Sequence, residues 1–192
     1  MDMNTVSATH ARSLEIQRDE FRRRRFLAMP LAGTLIWIAI GIGSLFVGPF
    51  GKNMLIYFGT GCIVYLGMFL STLTGEHMMA KNKPKNVFDN LFLLGALMAI
   101  LVYAIAIPFA LVEPTSLPMT VGILTGLMWV PFGWIIQHWI GLAHTLARTA
   151  LIVAAWYLFP GERYVLIPAL IVAVYLVTIV ILERNWRALR AA

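Results

Sequence analysis

The polar side chains that could do chemistry in this sequence are concentrated in one stretch, "VPFGWIIQHWIGLAHTLAR" (130–148), inside a chain that is otherwise rich in apolar residues. Its glutamine, histidines and arginine could bind a solute or a metal, or could mark the place where a membrane helix reaches water. The sequence favours two parts with different roles. The first is a solute path around Gln137, and the second is an interfacial segment that contains His144 and Arg148.

Pro131 and Gln137 make the first part of this stretch a predicted solute path. A proline within a membrane helix removes one backbone hydrogen bond and would free a carbonyl near Leu127, and broken helices are where membrane proteins build solute sites. At about 100° per residue, Gln137 falls on one stripe with Gly126 and Gly133, so we expect its amide to face other helices. The predicted lining residues of the path are Gly126, Trp129, Pro131, Gly133, Trp134 and Gln137.

The second part, residues 139–148, is predicted to lie at the cytoplasmic membrane surface. Tryptophans favour the interface, an arginine inside a helix can extend its guanidinium to headgroups, and a histidine at that depth can be hydrated. The chain must break or turn near Gly141, because one helix through both parts would be about twice as long as a bilayer is thick. We therefore expect His138, His144 and Arg148 to form a cytoplasmic rim.

Catalytic and metal sites have little support in the sequence. His77, His138 and His144 are predicted on one side of the membrane, where they could hold a metal or a haem, but no HExxH, CxxC or glycine-rich phosphate loop accompanies them. No Asp or Glu lies well inside an apolar block, although ion-coupled transporters usually need such a carboxylate. We expect no catalytic residue, metal or cofactor, and a passive channel or facilitator for a small solute.

The elements that position these residues are predicted to be membrane-spanning helices. Of the 192 residues, 60% are apolar and only 12% are charged, which is too few charges to cover a soluble surface. Six apolar blocks approach the roughly 20 residues that a helix needs to cross a bilayer, so the predicted fold is an all-α polytopic bundle with six spans. The blocks are 27–47, 53–73, 88–112, 117–140, 142–159 and 164–182. Asn53, Asn86 and Ser116 are each predicted to be able to cap the start of a helix.

The positive charges predict that both termini are cytoplasmic. With the N-terminus inside, thirteen of the fifteen Lys and Arg residues fall on the cytoplasmic side, and only Lys52 and Arg163 fall on the other. We expect a basic tail (1–25) that could form a short interfacial helix, a membrane domain (26–184) and a short basic tail (185–192). The net charge of +6 suits anionic lipid headgroups at the cytoplasmic rim and requires no nucleic acid.

Small residues at helical spacing predict close helix packing. Gly67, Ser71 and Gly75 recur on one face of the second span, and Gly122 and Gly126 form a GxxxG pair on the fourth. Packing within the chain is the favoured use of these faces, and a homodimer seam is the other. The same faces support an alternative function, in which the chain is a structural or regulatory membrane subunit that binds a partner helix.

Three apolar runs carry a resemblance to known proteins: "PLAGTLIWIAIGI", "FGTGCIVYLGMFLS" and "GLMWVPFGWIIQ". From Pro30 onward the chain resembles small bacterial six-span proteins that form a family of unknown function. The resemblance implies a six-helix fold and a location in the bacterial inner membrane. It implies no activity and assigns no role to individual residues.

Overall fold

The chain folds into helices that are joined by short turns. The computed structural model describes residues 12–76 and 86–191, and every regular element within these two ranges is helical. A 3-10 turn, Pro114–Ser116, precedes the sixth α-helix. The α-helices are α1 (Leu14–Arg22), α2 (Ala28–Gly43), α3 (Pro49–Leu73), α4 (Val87–Leu101), α5 (Tyr103–Val112), α6 (Leu117–Gly126), α7 (Trp129–Ile135), α8 (Ile140–Leu158) and α9 (Arg163–Ala191).

Among the described residues, five helical segments are long and apolar enough to cross a membrane. In two of them a pair of helices makes one segment, α4 with α5 and α6 with α7. The helix α2 is also apolar but has only 16 residues, or about 24 Å. The predicted all-α fold with several helices long and apolar enough to cross a membrane is thus confirmed, and the sixth span and the orientation stay predictions. The five segments are Pro49–Leu73, Val87–Val112, Pro114–Ile135, Ile140–Leu158 and Arg163–Ala191.

Proline, glycine and asparagine set the limits of α3 and α4. The helix α3 begins at Pro49, whose missing N–H is no loss in a first turn. The apolar block placed this start at Asn53, whose side chain instead accepts a hydrogen bond from a tyrosine hydroxyl of α9 (2.7 Å). The turn after α3 contains Gly75 at a left-handed φ of 75°. Asn86 caps α4 as predicted, because its side chain accepts a bond from the Phe88 N–H (3.0 Å).

The helices α2 and α9 form the centre of the bundle. The first packs against α3 and α9, while α8 packs against α6, α7 and α9. Trp37 and Ile40 of α2, like Ile167 and Ile171 of α9, are at most 2% exposed. By contrast, only 11% of the apolar window in α4–α5 is buried inside the protein, compared with 50% for the segment that contains α6 and α7. The segment that carries the predicted solute path therefore lies inside the bundle.

The helix α1 docks on one end of the bundle. We call this the basic end, and it comprises α1, the start of α2, the end of α3, the start of α4, the α7–α8 turn and the end of α9. Phe21 of α1 is only 3% exposed. The start of α4 donates two bonds to Gln17, from Asn86 Nδ2 to its carbonyl (2.7 Å) and from the next N–H to its side chain (3.0 Å), and Arg24 pairs with Asp89. The helix α1 is thus the helix that the sequence suggested for the basic tail, and its hydrogen bonds and ion pair connect this part of the chain to the start of α4.

Two arginines at the basic end differ in how much their partners are shielded from water. Arg25 makes two bonds to Glu183 (2.9 and 3.0 Å), and its guanidinium lies 4.8 Å from the ring centre of Trp186. The side chains of that pair are 27% and 17% exposed. Arg23 pairs with Asp19 (2.6 Å) within one stretch of chain, where the side chains are 57% and 49% exposed. The first pair joins the segment before α2 to α9, whereas the second is a surface pair of small expected effect.

A carboxylate caps the turn before α6 at the opposite end of the bundle. Glu113 Oε1 accepts hydrogen bonds from the N–H (3.1 Å) and the hydroxyl (2.6 Å) of Thr115. These bonds, with a smaller contribution from Arg163, hold the pKa of Glu113 below its usual value. Ser116, at the position predicted to cap α6, makes no side-chain cap bond.

Candidate functional site

The break predicted at Pro131 divides the fourth apolar block into α6 and α7. The helix α6 ends at Gly126 and α7 begins at Trp129, so Pro131 lies in the first turn of α7, where its missing N–H interrupts nothing. The sequence predicts a free carbonyl at Leu127, but this carbonyl accepts a bond from the Val130 N–H (3.1 Å). The break is confirmed, and the carbonyl beside it already has a partner.

The structure corrects the expectation that Gln137 faces neighbouring helices. Gln137 is exposed, its φ is 53°, and its Nε2 donates to the carbonyl of Trp134 in the same turn (2.7 Å). The chain reverses between α7 and α8 within residues 136–139, and a left-handed residue closes this reversal. Gln137 is therefore a turn residue with a local partner, and other side chains face the bundle interior.

His138 belongs to the same turn at the basic end. Its side-chain Nδ1 accepts a hydrogen bond from the Ile140 backbone N–H (3.2 Å). The backbone N–H of His138 donates to the Gly133 carbonyl (3.0 Å). The neighbouring Trp139 is 64% exposed. These positions fit the exposed rim that the sequence predicts here, and they start α8.

Gly133 and Gly141 bring the backbones of α7 and α8 into contact. A Cβ on Gly133 would lie 2.8 Å from Gly141 Cα, and a Cβ on Gly141 would lie 2.5 Å from Gly133 Cα and even closer to the carbonyl oxygen of Trp129. Gly133 thus forms a helix contact where the sequence predicts a solute path. Because of this contact, α8 packs back along α7, and its first two turns lie inside the bundle.

Arg148, predicted at the membrane surface, is buried. It is 1% exposed and lies about 12 Å along α8 from the first residue of that helix. Its Nη2 donates to the Thr125 hydroxyl (3.2 Å), but its Nε and Nη1 have no hydrogen-bond partner among the described residues. Gly126 makes room for the side chain, because a Cβ there would lie 3.0 Å from Arg148 Cδ. The guanidinium is directed inward across this glycine instead of outward to headgroups.

Aromatic rings are the other neighbours of the Arg148 charge. Its Cζ lies 5.3 Å from the ring centre of Tyr175 and 5.9 Å from that of Trp37. No carboxylate in the described part of the chain forms a salt bridge with it. Burying an ion costs several kcal/mol, whereas a cation–π contact returns about 0.5–2 kcal/mol and weakens near a limit of about 6 Å. The chain therefore compensates this charge only in part.

His144 lies one helical turn before Arg148 and is also 1% exposed, not at a rim. Its ring stacks on Trp129, with 4.2 Å between ring centres and 20° between planes. Its Nδ1 is 2.8 Å from the Thr178 hydroxyl, which itself donates to the Val174 carbonyl (2.8 Å). This pattern assigns the proton to Nδ1. The Nε2 atom is buried and has no partner among the described residues.

A cavity of about 1510 Å³ reaches from the basic end to this cluster. Its lining includes Trp129 and Tyr175, whose rings also contact His144, with ring centres 4.2 and 5.2 Å away. These two residues thus border both the cavity and the buried polar residues. The apolar wall includes Met29, Val64, Met68, Phe92, Ala96 and Phe132, and the polar rim includes Arg23, Arg24, Arg25, Glu76, Asp89 and Arg190.

Trp129 is the residue of the predicted solute path that lines this cavity. Trp134 is 58% exposed and lies 4.4 Å from the guanidinium of Arg18, and Pro131 is exposed as well. Tyr175 and Thr178 of α9 contact the cluster and were not predicted from the sequence. Their spacing of three residues places them on one helix face, and this spacing is the signal that could have drawn attention to them.

The histidines do not form a metal site in the part of the chain that the structure describes. No group of three His, Cys, Asp or Glu residues there could hold a metal ion. His138 lies in the exposed turn, His144 lies in the core, and His77 is outside the described residues. The structure therefore does not bring His138 and His144 together, although the sequence suggested that they could share a site with His77.

Comparison with known proteins identifies the family and no activity. No curated protein and no solved structure matches the chain. One family model, described as "Family of unknown function (DUF7010)", matches residues 14–185, which agrees with the family type that the apolar runs suggested. Because the match includes all five apolar segments apart from the last residues of α9, the chain belongs to this family of unknown function.

Proposed function

We propose that this chain is a passive, facilitator-like membrane permeation protein for a small solute, which enters the cavity from the basic end. The observation that carries the proposal is the cavity of about 1510 Å³, which exceeds the roughly 300–1,000 Å³ of common ligand pockets. Its wall is apolar and its rim is polar. Such a cavity can hold a solute with an apolar part, and its rim can admit charged groups.

The charge pattern of the spans supports passive movement. Asp89 lies at the start of α4, Glu183 lies just beyond the apolar block 164–182, and both pair with arginines. No Asp or Glu occupies the middle of an apolar block. Groups that couple transport to protons or sodium are usually carboxylates at such positions. With the basic end in the cytoplasm, as its arginines favour, the solute would enter from the cytoplasmic side.

The rings of Trp129 and Tyr175 would form the inner gate of the path. Beyond them, Leu117, Val121 and Ile152 are 0% exposed, so the way to the opposite end is filled with side chains. The proposed path is therefore open toward the basic end and closed beyond these rings. It passes Trp129 and leaves Gln137 and Trp134 outside.

Access of water to the cavity is the first test. A Cys62→Ser background removes the single cysteine, and Ala96→Cys then places a thiol in the cavity wall. Leu97→Cys is the matched control, because Leu97 is 48% exposed and lies outside the cavity lining. A charged thiol reagent requires a thiolate in water, so we expect it to label Ala96→Cys at least tenfold faster in proteoliposomes. Equal rates would contradict an aqueous cavity.

Solute flux is the second test. Ala96→Trp would fill part of the cavity, whereas Leu97→Trp would add the same side chain outside it. We expect proteoliposomes that contain the protein to take up small organic solutes faster than empty liposomes do. Uptake should fall severalfold with Ala96→Trp and stay unchanged with Leu97→Trp. Uptake equal to that of empty liposomes, or equal in both variants, would refute permeation through this cavity.

The alternative, a membrane subunit that binds a partner helix, draws little support from the glycine faces. A Cβ on Gly67 would collide with Met29 Sδ, and a Cβ on Gly122 would lie 2.9 Å from Ile152 Cδ1. Together with Gly126 and Gly133, these small residues face their own chain. Their use within the chain, which the sequence analysis favoured, leaves less small-residue surface for a partner or a second copy.

A further inference from the structure

We infer that Arg148 recognises a monovalent oxyanion carried on an apolar body, such as an organic carboxylate or a phosphodiester, that reaches it from the cavity. The inference rests on the proposed function, because this anion would be the solute that occupies the path. Three observations carry it: an undercompensated charge, unpartnered polar atoms beside that charge, and a route of approach.

The charge is the first observation. Arg148 is 1% exposed and pairs with no carboxylate among the described residues. Ionisable residues within a membrane bundle mark solute or ion pathways far more often than they serve packing. One guanidinium supplies one positive charge, so a monovalent anion would neutralise it without leaving an excess.

The unpartnered atoms are the second observation. Within residues 12–76 and 86–191, Arg148 Nε and Nη1 are buried donors without a partner, and His144 Nε2, on the same face of α8, is a buried nitrogen without one. Buried polar groups in proteins nearly always have partners. Carboxylate and phosphate oxygens are the acceptors that a guanidinium prefers, and a hydroxyl on the same solute could donate to His144 Nε2.

The route of approach is the third observation. Trp129 and Tyr175 line the cavity, and the same two rings contact the buried cluster. Rotation of these two side chains would connect the cavity to Arg148 without breaking a helix. The wall that leads to them is formed by methionine, phenylalanine and aliphatic side chains. A solute that follows this route therefore needs an apolar body behind its anionic group.

The experiment measures the thermal unfolding of the purified full chain in a nonionic detergent at constant ionic strength. The ligands are sodium benzoate and benzamide, which share a shape and differ in charge. We expect benzoate to raise the unfolding temperature in a saturable way and benzamide to have no effect at the same concentration. Arg148→Met should abolish the response to benzoate, and Arg187→Met, which changes an exposed arginine outside the cavity lining, should keep it.

Two further arms cover folding and the source of the anion. If Arg148→Met does not fold, Arg148→Lys keeps the charge but loses the planar donors, and its half-maximal benzoate concentration should rise at least tenfold. Micelles doped with phosphatidylglycerol or with phosphatidylcholine replace the soluble ligands in the second arm. A higher unfolding temperature with phosphatidylglycerol but not with phosphatidylcholine supports oxyanion recognition with a lipid as the source. A higher unfolding temperature with benzoate supports a soluble source.

The inference is overturned if benzoate and benzamide act equally, or if the Arg148 variants respond as the wild type does. Flux separates this result from the proposed function. Equal uptake of benzoate and benzamide, with both reduced by Ala96→Trp, would keep permeation and refute anion recognition. A benzoate shift that depends on Arg148, without any uptake, would keep the anion site and refute permeation.

Discussion

Replacing Gly141 with alanine tests the backbone contact that folds α8 against α7. A Cβ at this position would lie 2.5 Å from Gly133 Cα and closer still to the Trp129 carbonyl oxygen. Both obstacles are backbone atoms, so side-chain rotation cannot relieve the overlap. We expect overpacking to cost about 3 kcal/mol, at the upper end of the usual range, and the helix propensity of alanine to return about 1 kcal/mol. The predicted net loss of stability is about 2 kcal/mol.

Gly95→Ala is the matched control for this substitution. Gly95 is a buried glycine of α4, and a Cβ there would have no atom within 4 Å, so the variant should gain about 1 kcal/mol. Equilibrium unfolding by titration of a denaturing detergent measures both variants in one assay. The two free energies of unfolding should differ by about 3 kcal/mol. A Gly141→Ala protein as stable as Gly95→Ala would show that α7 and α8 do not approach this closely.

Three further predictions concern the remaining polar contacts. Thr178→Val removes the partner of His144 Nδ1 and should destabilise the protein by about 1–3 kcal/mol, whereas Thr178→Ser should cost far less; equal unfolding curves for the two would reject this bond. Arg25→Met should cost about 1.5–3 kcal/mol because it breaks a shielded pair between the segment before α2 and α9, against at most about 0.5 kcal/mol for Arg23→Met. The same titration measures both variants, and the reverse order would contradict the assigned pairs. The lowered pKa of Glu113 means that the folded protein holds this proton less tightly than the unfolded chain. Its stabilising effect is thus present above the usual value of 4.5 and is lost as the pH falls through the lowered value. Glu113→Gln should therefore unfold at a lower temperature than the wild type at pH ~7, and this difference should shrink as the pH is lowered below 4.5. A difference that does not shrink would exclude this carboxylate as the cause.

The apolar helices could be predicted from the sequence because hydropathy and helix length constrain each other. An apolar block of about 20 residues that is bounded by Gly, Pro or Asn can form few structures in a membrane protein other than a spanning helix. The helix break before Pro131 follows from the same local chemistry. Asn86 likewise caps α4 through its own side chain. Each of these features depends on a few neighbouring residues, so a single sequence contains the information.

The candidate site could not be predicted, because its position depends on where one turn falls. The prediction placed the turn near Gly141, whereas the chain reverses at residues 136–139. This small shift places Gln137 in the exposed turn and carries His144 and Arg148 into the bundle. A shift of one residue also rotates a helix face by about 100°. Which face meets α9 is decided by tertiary contacts such as that between Gly133 and Gly141, and hydropathy does not record them.

The docking of α1 on α4 has a consequence for how the protein is made. Gln17 receives its bonds from Asn86 and the residue after it, so the partner of this helix emerges from the ribosome about 70 residues later. At about 5–20 residues per second, α1 remains without its binding surface for several seconds of synthesis. During that interval Arg24, just after α1, also lacks its partner Asp89, while the first spans enter the bilayer. The helix α1, which contacts α4 in the folded protein, can thus act first as an orientation signal.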